Sequence, residues 1–478
     1  MHFLRLLFLP AFLGAVIVLF TASRQDANAQ TVSSIRDTLV VDVNAAVVRA
    51  LDVSPEVGAV ASELAFAEAR KNLALASRFA TEFNLQTAHA IAPGLDIPNP
   101  EIPRDELYLD PDVRNNWEDW RPLNRFEASI IQPIYTWGEL SGSIRAARSG
   151  IEVEEAAVHE KEIEVALRTG ELYYGLLLAE ALERLTAEAG TIVERAKSEI
   201  GRLLDEGADD VDDADLFRVQ ITEQEFLRRV VEVNQRLRTV RSALELQLFL
   251  PPSTTVAAED RVLAPIPFEP DSLEVYQTMA LEARPEVAQA RAGVAAREAL
   301  VNVARSDYFP KLFLGAETRI TLTEWRYRQP NPYISDSYRG RSLRAGLGMR
   351  LPLNFAQTRA RVQQAEAERN EVRYLLTAAR QLVLFEVEEA YRNMITARAA
   401  MEAQDRAFVI SKEWLRTEQI NFDLDLGDTE NLVDAVQASL ELEAGYYERV
   451  QRYNTAVLRL LAATGTLVRN AKTGILVE

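Results

Sequence analysis

The chain has 478 residues, no cysteine and a formal net charge of −19. The acidic balance argues against nucleic-acid binding, which requires a basic surface. The lack of cysteine excludes disulfides, thiolate metal sites, thiol catalysis and a lipidated N-terminal cysteine. The histidines are His2, His89 and His159, which lie far apart in unlike contexts, so we expect no histidine-based active site.

The first 29 residues predict a secretory signal peptide. Arg5 supplies the basic start, residues 6–20 form the apolar run, and Ala27-Asn28-Ala29 matches the small-x-small cleavage pattern. The alternative is a transmembrane anchor, but the apolar run is short for a span of about 20 residues. A secreted chain of this size without cysteine indicates a bacterial envelope protein.

The remaining sequence contains one long unit twice. Ala50–Val57 returns as Ala280–Val287 at an offset of 230, and Tyr173 meets Tyr391 at an offset of 218. Each unit predicts a medium helix, an extended pair, a very long helix, a turn and a long helix. The predicted organisation is a signal peptide (1–29), a first repeat (30–250), a proline-rich linker (251–270), a second repeat (271–467) and a C-terminal tail (468–478).

A proline-free stretch, residues 138–250, predicts the first long helical hairpin. Its second arm carries apolar residues at the 4-3-4-3-4 spacing of a coiled-coil seam, namely Phe226, Val230, Val233, Leu237, Val240 and Leu244. Its first arm, about residues 138–204, would be roughly 100 Å long at 1.5 Å per residue. Residues 354–478 repeat the design, so the chain predicts two very long hairpins.

Extended segments of each unit alternate between apolar and polar residues. Residues 312–322 and 343–351 do so in the second unit, and residues 126–132 do so in the first, with residues 79–90 as a less regular partner. Their lengths suit tilted membrane-crossing strands of about 9–11 residues. In that interpretation the polar face lines a wet lumen, and the candidate lumen-facing residues are Arg319, Arg344 and Arg350. A half-buried sheet in a soluble domain remains the alternative.

The membrane interpretation requires several chains. Four strands cannot close a transmembrane barrel, because about eight is the smallest number observed. Open sheet edges are not tolerated in lipid. Three chains with twelve strands are the simplest closure, although these arguments alone do not fix three.

The turn of the first hairpin, residues 205–215, contains seven carboxylates. One interpretation is a solvated turn whose aspartates interact favourably with the dipole at the start of the second arm. The other is a ring of entrance carboxylates repeated around an axis. A calcium loop is disfavoured because the ligand order of an EF-hand is absent. No nucleophile–base pair, phosphate loop or metal-spaced cluster appears. We therefore predict no enzyme, cofactor or metal, and take as entrance candidates Asp209, Asp210, Asp212 and Asp213.

The order of these pieces resembles the TolC-like outer-membrane efflux protein family (outer membrane factors) over about residues 36–467. The signs are the two Ala-Leu-x-x-x-Pro-Glu-Val openings, the junction Gln132–Gly138, the turn 422–435, and Tyr446-Tyr447 followed by Tyr453–Ala456. The resemblance implies a mainly α protein with transmembrane β structure. Long coiled-coil hairpins form an α-helical periplasmic tunnel, and four strands per protomer contribute to a homotrimeric, twelve-stranded β-barrel.

The resemblance also implies a function. It is a passive, gated exit duct of a tripartite efflux or type I secretion system, located in the outer membrane and extending into the periplasm. The implied partners are a periplasmic adaptor (membrane fusion) protein, an inner-membrane transporter and outer-membrane lipid. The alternative is a periplasmic coiled-coil scaffold or adaptor protein without a channel.

The family's gate lies at the hairpin tips. Of its two tip aspartates, the first position holds Asn431 and the second Asp434, while its glycine position holds Asp425. The family's tip arginine would fall on Gly427, so its particular salt bridges are not expected here. The second-tip gate candidates are therefore Asp425, Asp428, Asn431 and Asp434. The adaptor-docking candidates are Leu204, Gly207, Leu424, Leu426 and Gly427.

Overall fold

The structure is a computed structural model that describes residues 37–79, 82–96, 114–206, 213–326, 336–424, 429–474 and 476. The predicted signal peptide lies outside these residues. The first half contains β1 (Asp37–Val41), α1 (Val43–Val53), α2 (Pro55–Ala76), β2 (Glu82–Asp96), β3 (Arg114–Tyr135), α3 (Glu139–Glu206) and α4 (Asp213–Gln247). The second contains β4 (Thr254–Ala258), α5 (Leu273–Ala283), α6 (Pro285–Ser306), β5 (Lys311–Thr323), β6 (Gly340–Arg350), α7 (Phe355–Asp423), α8 (Thr429–Ala463) and α9 (Leu467–Thr473).

Each element of the first half has a counterpart in the second half, which adds α9. The helices α1 and α5 both have 11 residues, α2 and α6 both have 22, and α4 and α8 both have 35. Pro55 and Pro285 occupy the first turns of α2 and α6, where the missing proline N–H costs no hydrogen bond. The duplicated pattern of the sequence is therefore also a duplication of helix lengths.

Two helical hairpins dominate the molecule. The long arms α3 and α7 have 68 and 69 residues, or roughly 100 Å each, and they pack against α4 and α8 respectively. The predicted seam of α4 faces α3: Leu237 and Leu244 are buried, and Phe226 lies against Gly190. A side chain at Gly190 would meet the Phe226 ring at 3.1 Å, so the glycine makes room for it. No helix in the described part of the chain is long and apolar enough to cross a bilayer.

The hydrophobic core forms a collar around the middle of α3 and the end of α8. We define the collar as α1, α9, the parallel pair β1–β4 and residues 259–266, packed on those two helices. Asn454 of α8 is fully buried; its side chain donates to the Ala264 carbonyl and accepts from the Ile266 N–H, each at 2.9 Å. The predicted linker is thus fastened to α8, and α9 places part of the C-terminal tail in the core.

A four-stranded antiparallel sheet extends from the ends of the helices, in the order β2-β3-β5-β6. Strand β2 begins later than the predicted segment 79–90, because Phe79 still donates its N–H to the Ala76 carbonyl in the turn after α2. It also ends later, because its pairing with β3 continues to Asp96. The bonds between β3 and β5 join the two repeats in one sheet. In the described chain β2 and β6 each have a neighbour on one side only.

Candidate channel surfaces

One face of the sheet is apolar and exposed. Leu343, Leu347 and Phe83 are 79%, 78% and 67% exposed, and their registered neighbours on this face include Leu314 and Ile130. An apolar surface of this extent on a water-soluble domain would normally be covered by another layer. Lipid is the solvent that suits such a face.

The opposite face is polar and carries the three predicted arginines. Arg319 of β5 is registered with Glu127 of β3, and its Nε lies 2.6 Å from the glutamate Oε1. Arg344 of β6 is registered with Glu317 of β5, and Arg350 lies at the helical end of β6, 5.6 Å from the centre of the Phe313 ring. The structure therefore places Arg319, Arg344 and Arg350 on the face opposite to the apolar one.

Aromatic side chains lie at both ends of the sheet. At the helical end, Trp137 donates its indole N–H to the Pro310 carbonyl at 2.8 Å and stacks on Phe309, with ring centres 4.8 Å apart. At the far end, Trp117 and Trp120 are in contact and Trp325 is 76% exposed. Rings with an apolar body and a polar edge favour the two boundaries of a membrane.

A buried arginine fastens the far end of the sheet. The Arg326 side chain is 5% exposed; it pairs with Asp336 at 2.8 Å and donates to the carbonyls of Pro93 and Gly94 and to Asn115. It therefore joins the β5–β6 connection to the β2–β3 hairpin. In the sequence, the one signal for this residue is an aspartate ten positions further on in a segment rich in turn-forming residues.

The first hairpin tip lies between α3 and α4. Leu204 is partly exposed in the last turn of α3, and Asp213 is the first residue of α4. Near this tip, Lys197 of α3 bridges to Glu223 of α4 at 2.8 Å, which ties the two arms together. The predicted Gly207, Asp209, Asp210 and Asp212 lie outside the described residues.

The second tip lies between α7 and α8. Leu424 is 62% exposed just beyond α7, and Asn431 and Asp434 are exposed in the first two turns of α8. Their spacing of three residues puts Asn431 and Asp434 on one side of the helix. The remaining predicted tip residues, Asp425, Leu426, Gly427 and Asp428, lie outside the described residues.

Burial raises the pKa values of one glutamate and several tyrosines in the helices. Burial raises the pKa of Glu443 on α8, whose carboxylate accepts from the Tyr447 hydroxyl at 3.4 Å. Burial also raises the pKa values of Tyr173 and Tyr174 in the collar, where Tyr173 donates to Asp260 at 2.7 Å. Among the described residues, no group of three or more His, Asp or Glu side chains is placed to hold a metal ion. The hydrogen bond between Tyr173 and Asp260 ties α3 to the segment that follows β4.

Known proteins share both sequence and fold with this chain. Residues 277–468 match the outer membrane efflux protein family. Protein CyaE of Bordetella pertussis is 27% identical over 366 residues, which cover 75% of this chain and 74% of that protein.

Solved outer-membrane channels have the same fold. The open state of the MtrE outer membrane channel of Neisseria gonorrhoeae matches with a TM-score of 0.70 and 13% identity over 94% of this chain and 96% of that one. The CmeC outer membrane channel of Campylobacter jejuni matches with a TM-score of 0.67 and 15% identity over 89% and 85% of the two chains. Outer membrane protein VceC of Vibrio cholerae gives a TM-score of 0.67 and 15% identity over 88% and 96%.

These similarities favour a channel over the alternative of a periplasmic scaffold. The family that matches, and the solved structures with this fold, are outer-membrane channels rather than enzymes. Together with the two-faced sheet and the long hairpins, the matches confirm the resemblance to outer membrane efflux proteins: the chain is an exit duct of the outer membrane that extends into the periplasm.

Proposed function

We propose that three copies of this chain close a twelve-stranded barrel above a twelve-helix tunnel, and that substrates pass through it without chemistry. The observation that carries this proposal is the sheet, which has an exposed apolar face and two edges with no neighbour among the described residues of the single chain. An open edge in lipid leaves backbone groups without hydrogen bonds. Pairing of β6 with β2 of the next copy removes both edges from all three chains.

The internal repeat indicates how the helices of two copies meet. In one chain α6 lies between α3 and α7, and six of its residues are buried, whereas α2 packs on α3 and has none. At the α3–α6 contact a side chain on Gly142 would lie 2.7 Å from Val303. By the repeat offset of 218, Gly142 corresponds to Ala360, and by the offset of 230, Val303 corresponds to Leu73. Both Ala360 and Leu73 are exposed. We infer that Leu73 packs against Ala360 of the neighbouring copy.

The tips provide the gate in this proposal. Three copies of Asp434, with Asn431 beside it and the acidic first tip nearby, would surround the periplasmic entrance with carboxylates. Crowded carboxylates attract cations and repel one another. A periplasmic adaptor would dock on the tips, through Leu204 and Leu424 among others, and connect the duct to an inner-membrane transporter. Engagement of these partners would move the tips outward.

Cysteine cross-linking tests the assembly, and the chain has no cysteine of its own. The variant Leu73→Cys/Ala360→Cys is expected to form oxidant-dependent covalent dimers and trimers in outer membranes. The matched control is Gly142→Cys/Val303→Cys, whose residues are in contact within one chain and which should cross-link without a change in chain number. A Leu73–Ala360 variant that stays monomeric while the control cross-links would contradict the trimer.

Planar-bilayer recording tests the duct and its gate. We expect a low conductance with cation preference, because the narrow entrance carries the carboxylates. Asp434→Ala, and neutralisation of Asp209, Asp210, Asp212 and Asp213, should each reduce that preference. Anion preference in the parent channel would count against the carboxylate entrance.

A further inference from the structure

The polar face of the sheet carries more cations than its ion pairs use. Residues paired across neighbouring strands form rows, and the region considered runs from the row of Lys311 to the row of Arg125. Its positive residues are Arg125, Lys311, Arg319, Arg344 and Arg350, and its carboxylates are Glu82, Glu127 and Glu317. If the proposed barrel forms, all of them line its lumen. Their pairing therefore decides which charge a solute meets there.

Three of these cations are neutralised by close carboxylates. Arg319 bridges Glu127 at 2.6 Å and Glu317 at 3.3 Å, and Arg125 lies 3.9 Å from the same Glu127. Lys311 lies 2.8 Å from Glu139, at the start of α3.

Two arginines are left over. Arg344 and Arg350 are both exposed and have no ion pair or hydrogen bond with any residue that the structure describes. Glu82, at the start of the edge strand β2, is the one carboxylate of these rows that is likewise exposed and has no ion pair or hydrogen bond with a described residue. The surplus is therefore positive, and Arg344 lies near the middle of its strand, away from Glu82.

We infer that the barrel section of the duct attracts anions, so that its substrates carry exposed carboxylates or phosphates; this rests on the proposed function. An arginine remains charged at all physiological pH values, and its planar fork matches carboxylate and phosphate oxygens. Low-dielectric walls focus the field of such charges into a narrow lumen. Three copies place six guanidinium groups that have no carboxylate partner among the described residues around the axis, downstream of an acidic entrance. The duct thus has two oppositely charged zones in series.

The test compares reversal potentials in a KCl gradient across planar bilayers. Arg344→Gln/Arg350→Gln should raise the potassium-to-chloride permeability ratio by about twofold or more, because lumen charges set selectivity. The matched control is Arg341→Gln, which removes the same charge from the same strand but from the apolar face, opposite Ile320. That control should leave the ratio unchanged. Glu82→Gln should shift the ratio in the opposite direction.

The measurement is made in the parent and in the Asp434→Ala background, so that the acidic entrance does not mask the barrel. Tripolyphosphate, added from the side of the sheet, should block the parent at a lower concentration than the double arginine variant. An unchanged permeability ratio in both backgrounds, or equal block by tripolyphosphate, would overturn the inference while leaving a conducting duct intact. Absence of any conductance would instead overturn the duct, and this inference with it.

Discussion

A charge placed on the apolar face of the sheet tests whether that face contacts lipid. Ala345 is the middle residue of β6 and lies on the apolar face between Leu343 and Leu347, which are 79% and 78% exposed in the single chain. Ala345→Lys adds a charge there without removing a packed side chain. Gly346→Lys is the matched control, because Gly346 lies on the polar face with open space above it and has no positive φ.

The expected difference is large. A lysine at the bilayer midplane of a β-barrel costs about 2–4 kcal/mol, which amounts to about 6–12 kcal/mol for three copies of one duct. On a water-exposed surface the same substitution would change stability by no more than about 0.5 kcal/mol. The Gly346→Lys side chain would enter a wet lumen, so its cost should stay in that smaller range.

The assay is the amount of each variant in outer membranes after flotation, together with the trimer band in unheated gels. We expect Ala345→Lys to be strongly depleted and Gly346→Lys to assemble like the parent. Equal assembly of the two variants would refute the reasoning, since it would mean that both faces of β6 meet water. Depletion of both would point instead to a general sensitivity of the strand.

Three further predictions concern groups that the structure shows to be buried or partly buried. Asn454→Ala should lower the free energy of unfolding by about 1–3 kcal/mol, because it leaves the buried Ile266 N–H without a partner and removes the hydrogen bond to the Ala264 carbonyl. Thermal unfolding of the detergent-solubilised protein by circular dichroism measures this, and an unchanged melting temperature would contradict it. Burial raises the pKa of Glu443 in the folded state, so its favourable contribution is complete below the unfolded-state pKa of about 4.3 and is lost as pH rises through the folded-state pKa. Glu443→Gln should therefore raise the melting temperature at pH 7 and lose that advantage near pH 4, whereas Glu441→Gln, at an exposed position two residues away, should do neither. Arg326→Ala should cost about 3–5 kcal/mol because the Asp336 side chain, which is 9% exposed, loses its cationic partner. Faster cleavage near residue 326 by protease added to intact cells is the readout, and unchanged protease resistance would argue against the fastening role.

Much of the helical architecture was predictable from the residues alone. The seam from Phe226 to Leu244 identified the face of α4 that packs on α3, because residues three and four apart share one side of a helix. The alternation around Arg319 and Arg344 separated the two faces of β5 and β6, because successive side chains of a strand point in opposite directions. Both patterns are local, so neither depends on knowing the fold.

The collar could not be predicted in the same way. Strand β4 lies in a segment with five prolines and pairs in parallel with β1, which is more than 200 residues earlier. Strands of five residues carry little periodic signal, and their partner is chosen by what else is buried beside them. Asn454 shows the same dependence. It lies in the segment Tyr453–Ala456 that carries the family resemblance, but its two hydrogen bonds exist because the chain returns across α8 at Ala264 and Ile266.

The sequence by itself determined the duplication, the lengths of the long helices and the two-faced character of the strands, since these follow from spacing along neighbouring residues. Only the tertiary structure decided the order β2-β3-β5-β6, the partners of Arg326 and the pairing of the polar-face arginines. Arg319 bridges a carboxylate, whereas Arg344 and Arg350 form no ion pair with a described residue. Those features depend on which distant segments share a register, and a register is selected by the combined burial and pairing of the whole sheet.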